Sequence, residues 1–158
     1  MPEILILLFA ALLGTLGYAL LLRIDLRLVP TVTLLGVLSF GLYELINRLS
    51  GDPFLSNFAG ALLASVAGYL MAILFRAPAT IFYTPAIIPL VPGGLLYYTM
   101  YAAIKSNTAD VLRYGRDALL VGLGIASGII LGVILVRIVR SALRYSRKGM
   151  RRDDRQEP

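Results

Sequence analysis

Residues 81–98 read IFYTPAIIPLVPGGLLYY. Pro85, Pro89, Pro92 and the pair Gly93-Gly94 interrupt a run that is otherwise apolar from Ala79 to Ile104. Long uncharged blocks flank this stretch on both sides, so its backbone must be reconciled with lipid. The chain has 158 residues and is 58% hydrophobic, with a mean hydropathy of +0.81. A soluble domain of this size would have to leave much of that apolar surface in water. The apolar residues also come in blocks rather than at helical or alternating spacing. The expectation is an all-α integral membrane protein of about five transmembrane helices, the fourth broken by the Pro/Gly motif.

Outward from that segment, the expected spans cover residues 4–22, 31–49, 54–75, 79–104 and 118–140, with a basic tail over 148–158. The first block carries no charge, and its 19 residues cover about 28 Å as a helix, close to the hydrocarbon thickness. Only Glu3 precedes it, so the basic start of a cleaved signal peptide is missing. Pro30 suits the first turn of the second helix. Ser50-Gly51-Asp52-Pro53 reads as a turn, Arg76-Ala77-Pro78 as a helix stop, and residues 105–117 as a polar link.

With five crossings, eleven of the fifteen basic residues fall on the face of the C-terminal tail and four on the other. If the fourth block were re-entrant, the split would be nine to six. The positive-inside rule therefore predicts five crossings in a plasma (inner) membrane, with the N-terminus outside and the C-terminus cytoplasmic. Eight of those basic residues lie beyond the last apolar block, where anionic lipid accounts for them; no nucleic-acid motif accompanies them.

The chain contains neither cysteine nor histidine. Disulfides, thiolate chemistry, imidazole ligands and the commonest general base are thereby removed. A hydroxyl with Lys105 or Glu44 would be the only acid–base pairing left for an enzyme, and neither is well placed. There is no Walker motif, and Gly122-Leu123-Gly124 lies within an apolar span with no strand before it. The expectation is a protein that is not an enzyme and needs no cofactor or metal.

Within a helix, Pro85, Pro89 and Pro92 leave the carbonyls of Ile81, Pro85 and Ile88 without their usual partners. The spacing of four and three residues places all three on one face. Such backbone persists at membrane depth only where protein covers it or it lines a watery cavity. The segment therefore reads as two half-helices, the first ending in free carbonyls, the second starting near Pro92 with free N–H groups at Gly93, Gly94 and Leu95. An N–H end suits a carboxylate and a carbonyl end suits an ammonium, which together describe a zwitterion. The bland alternative is a kink that improves packing. Thr84, Pro85, Pro89, Pro92, Gly93, Gly94, Tyr97 and Tyr98 are the candidate translocation residues. Tyr97, Tyr98 and Tyr101 also suit anchoring at the membrane interface.

Glu44 is the one acid well inside a span, a proton-coupling candidate, although Arg48 one turn away can close on it. Ser56 and Asn57 are read as caps of the third helix. Gly124, Gly128 and Gly132 on the last span, and Gly60 and Gly68 on the third, form small faces that allow close helix approach. They suit packing within the chain or against a partner, and the sequence does not separate the two.

The run Arg76-Ala77-Pro78 followed by PAIIPLVPGGLLYYTM, Pro85 to Met100, resembles the short membrane half of the ThrE-type threonine/serine exporter family. The five-block layout, the Pro30 helix start and the basic tail agree with it. The resemblance implies a small membrane subunit that works with a larger ThrE-type subunit in secondary export of threonine and serine, with higher oligomers open. It also admits succinate, a dicarboxylate, as cargo. A non-transporting assembly subunit is the alternative from a different class.

Overall fold

A computed structural model describes the backbone of residues 2–153 and the side-chain surroundings of residues 3–141. The described residues form helices α1 (Pro2–Leu21), α2 (Val29–Ser50), α3 (Pro53–Phe75), α4 (Ala79–Ile87), α5 (Gly93–Ile104) and α6 (Thr108–Asp153). A single 3-10 turn, Ile88–Leu90, follows α4. α1, α2, α3 and residues 108–141 of α6 are each long and apolar enough to cross a membrane, and α4 with α5 makes a bent fifth span. The protein is an all-α, multi-pass membrane protein.

The helix ends follow from local chemistry. Pro30 lies in the first turn of α2, where its missing N–H costs nothing. Gly51 ends α2 at φ 65°, in the left-handed region that glycine enters freely, and its N–H donates to Asn47 O. The Asp52 carboxylate caps α3 by accepting the Phe54 N–H at 2.8 Å. Arg76 terminates α3 in the left-handed region, φ 55°, immediately before Ala77-Pro78.

α3 is the central helix. It packs against α2, α4 and α6, and its neighbours come close because glycine marks each crossing. A Cβ on Gly60 would stand 3.0 Å from Ser39 O of α2, and one on Gly68 would stand 3.0 Å from Tyr83 Cβ of α4. A Cβ on Gly124 would stand 2.6 Å from Phe54 O, and one on Gly128 the same distance from Phe58 O. One on Gly132 would collide with the Ser65 hydroxyl. The ascending register, Phe54 to Ser65 against Gly124 to Gly132, means that α3 and α6 run parallel. Ser65 Oγ donates across the crossing to Gly128 O at 3.3 Å. α1 joins through α2, where Gly36 faces the fully buried Thr15. Val32, Leu35, Ala64, Phe82 and Ala86 fill the centre. Large apolar side chains such as Leu5, Phe9, Leu34, Leu38 and Leu74 point outward, as lipid contact requires.

One sequence expectation is corrected. The polar link of residues 105–117 shrinks to residues 105–107, because Asn107 starts α6. Its amide donates to Asp110 Oδ2 at 2.6 Å and its carbonyl receives the Asp110 N–H, a reciprocal cap that satisfies orphan groups. Residues 148–153 of the basic tail continue α6; residues 154–158 lie outside the described residues.

Candidate functional site: the broken span

The two halves of the fourth span meet at 45°. Proline explains both the break and its form. Pro85 is accommodated inside α4, but Pro89 prevents continuation as an α-helix and the chain tightens into the 3-10 turn. Val91, forced to extended backbone by the proline that follows it, has φ −63° and ψ 129°. Pro92 then precedes α5 without a side-chain cap.

The tightened turn changes the polar accounting expected from the sequence. The carbonyl of Pro85 accepts the Ile88 N–H, and that of Ile88 accepts the Val91 N–H at 3.2 Å. These two groups are therefore re-satisfied locally rather than left open. On the other side, the Gly93 N–H donates to Val91 O at 2.8 Å. The N–H groups of Gly94 and Leu95 have no intrahelical acceptor by position, and they stand at the positive end of the α5 dipole. The break therefore offers mainly donors, the end that suits a carboxylate.

The candidate residues divide into an embedded set and an open set. Pro85, Ala86, Ile87 and Leu90 are buried, and Thr84 and Pro89 are half-buried, with α4 and its turn packed among α1, α2 and α3. Leu90 reaches the α2–α3 crossing, where a Cβ on Gly60 would meet its methyl groups at 3.2 Å. Gly93 and Gly94 are exposed, and a Cβ on either would meet nothing within 4 Å. α5 packs chiefly on α6. Tyr97 and Tyr98 are 63% and 52% exposed. Tyr97 stacks on Tyr101 at 6.4 Å, while Tyr98 packs against Tyr114 of α6 at 5.6 Å.

Glu44 does not reach the break. Its Oε1 accepts from Arg48 Nε at 2.7 Å, and it lies five residues beyond Ser39, about 7.5 Å further along α2. Ser56 and Asn57 do not cap α3, because Asp52 does. They sit buried inside the helix, where Ser56 Oγ donates to Asp52 O and Asn57 Nδ2 to Pro53 O.

Ser39 is the residue that the sequence reading missed. It is fully buried, its hydroxyl has no partner, and its backbone adjoins the crossing that Leu90 enters. Asn57 Oδ1, one turn before Gly60 on α3, is likewise buried and unpartnered. Neither motif nor charge marks Ser39. Its helical spacing from Val32, Leu35 and Gly36, all inward-facing, was the available signal.

An all-helical, multi-pass chain whose discontinuous span exposes backbone donors and packs against a crossing that holds an orphan buried hydroxyl and an orphan amide oxygen has the architecture of a membrane transporter. The sequence model of the threonine/serine exporter family, ThrE, matches residues 7–135, and the chain belongs to that family. No characterised protein and no solved structure matches it.

Proposed function

We propose that this chain is the small membrane subunit of a two-component secondary exporter of threonine and serine, and that a larger ThrE-type half completes it. The observation that carries this reading is the one-sidedness of the break. Protein covers α4 and its turn, whereas Gly93, Gly94 and the tyrosine face of α5 stand open. Irregular backbone at membrane depth requires a protein or water boundary on every side. A second subunit supplies the missing wall, and the substrate lies between the two.

In this reading the substrate carboxylate is held by the Gly94 and Leu95 N–H groups and the α5 dipole. The carbonyls on the first half-helix are largely taken up by the 3-10 turn, so hydroxyls serve the polar remainder of the substrate. Ser39 lies on the embedded side, and Tyr97 and Tyr98 on the open side. Glu44 is the coupling acid, with Arg48 as its resting partner. The N-terminus is outside and the C-terminus cytoplasmic in the inner membrane, in accord with the charge distribution.

The test loads vesicles or cells with labelled threonine, serine and succinate and follows efflux with this chain alone and with the larger half. Threonine and serine efflux that needs both chains is the expected outcome. Succinate efflux would change the cargo and keep the two-chain architecture. No efflux from two correctly inserted chains would overturn the transport assignment.

A further inference from the structure

Away from the break, the end of α3, the start of α4 and α6 enclose a cleft of about 360 Å³ lined by Tyr69, Ala72, Ile73, Arg76, Ala77, Ala79 and Arg140. Two arginines line it from different elements, Arg76 at the C-terminal cap of α3 and Arg140 on α6. Among the described residues the ion pairs are Glu44–Arg48 and Arg116–Asp117, so neither cleft arginine has a carboxylate partner. Both side chains are exposed at the open cleft, where two like charges attract an anion. The backbone holds Arg76 there, since it occupies the left-handed region at φ 55°, and α4 opens at the same cleft with no side-chain cap. The positive end of that helix adds to the field of the arginines.

The geometry points to an anion site for the phosphate of a membrane phospholipid headgroup, held by Arg76 and Arg140 at the foot of the broken span. Three features favour a lipid over a dissolved anion. The cleft lies at the end of α3, where the span meets the headgroup layer. Ile73 lines it, and the exposed Leu74 and Phe75 on α3 and Ile138 and Val139 on α6 precede its arginines in sequence, giving acyl chains an apolar surface nearby. The arginines belong to the tail-side face, which also carries Arg23 and Arg27, and basic residues of such faces attract anionic headgroups. Arginine also matches phosphate through paired N–H donors. This inference does not depend on what the protein transports.

Native mass spectrometry of the delipidated full chain in detergent, titrated with phosphatidylglycerol and with phosphatidylcholine, tests it. Phosphatidylglycerol is expected to bind at least fivefold more tightly. Arg140→Gln should weaken it about fivefold, and Arg76→Asn with Arg140→Gln roughly thirtyfold, at the worth of an arginine near a charged surface. Asn is chosen at 76 because it tolerates positive φ. Should the double variant misfold, Arg140→Gln, at an exposed helical position, decides alone. Arg23→Asn with Arg27→Gln, removing equal charge from the same face, should leave binding unchanged. Equal affinity in the cleft variants, or an equal loss in the Arg23/Arg27 variant, would overturn the site. Displacement by inorganic phosphate at concentrations comparable to the lipid would overturn the lipid as its occupant.

Discussion

At the scale of single residues, two kinds of glycine do different work. A Cβ on Gly128 would meet the Phe58 carbonyl at 2.6 Å, and a backbone atom cannot step aside as a flexible side chain can. Gly128→Ala should therefore part α3 from α6 and cost about 1–3 kcal/mol, read as a lowered thermal midpoint in detergent. Gly93 faces open space. Gly93→Val should leave insertion and stability within about 0.5 kcal/mol of the parent yet abolish efflux, because its bulk falls where the proposed substrate and partner would meet. Normal efflux from a well-inserted variant would remove the backbone site. Ser39→Ala deletes a buried hydroxyl that has no partner, so stability should hold or rise slightly while threonine efflux falls; equal efflux would make the hydroxyl a bystander. For Glu44→Gln, the pair lost includes a half-exposed arginine, and less than about 0.5 kcal/mol of stability is at stake. Efflux measured across a pH series should lose its dependence on the proton gradient. Sequence pattern placed the glycine faces on α3 and α6 but left their partner open, since spacing reports a face and not what it meets.

At the scale of elements, the break was legible and its hydrogen bonding was not. Three prolines and two glycines announced a discontinuity. Local tightening into a 3-10 turn then re-bonded the carbonyls of Pro85 and Ile88, an adjustment no residue count foresees. The early start of α6 had a signal in Asn107 and Asp110, three residues apart as a cap and its return partner, but the polar composition of residues 105–117 outweighed it. Likewise Asp52-Pro53 carried the cap and the first turn of α3, so Ser56 and Asn57 were free to bond one turn back. Pro92 is the residue that separates the two half-helices. Pro92→Leu should let α5 grow back toward the turn and reduce the 45° bend. The chain has no cysteine, so spin labels at introduced cysteines replacing Thr80 and Ile104 report the bend directly. Straightening should lengthen their separation by about 3 Å, from the helical rise on each arm, and abolish efflux. An unchanged distance would assign the bend to Pro89 and the turn.

At the scale of the whole molecule, stability is uneven. α3 is enclosed by three helices, whereas α5 rests mainly on one. Amides of α5 should therefore exchange with deuterium well before those of α3 when the chain is alone in detergent, and the larger half should slow α5 selectively. Uniform protection without a partner would contradict an open flank. Composition alone made the membrane class legible, because no packing can hide so much apolar surface. What composition leaves out is which helix holds the others together, since that depends on contacts between residues far apart in the chain. α6 is uninterrupted by proline and touches α3 through its glycine face, α5 near Tyr114 and the arginine cleft at Arg140. Taking Gly128 as fulcrum, Tyr114 lies about 21 Å to one side and Arg140 about 18 Å to the other. A rocking of α6 on α3 would therefore swing its α5 end and its cleft end in opposite directions, as a balance beam moves two pans set at opposite surfaces of the bilayer.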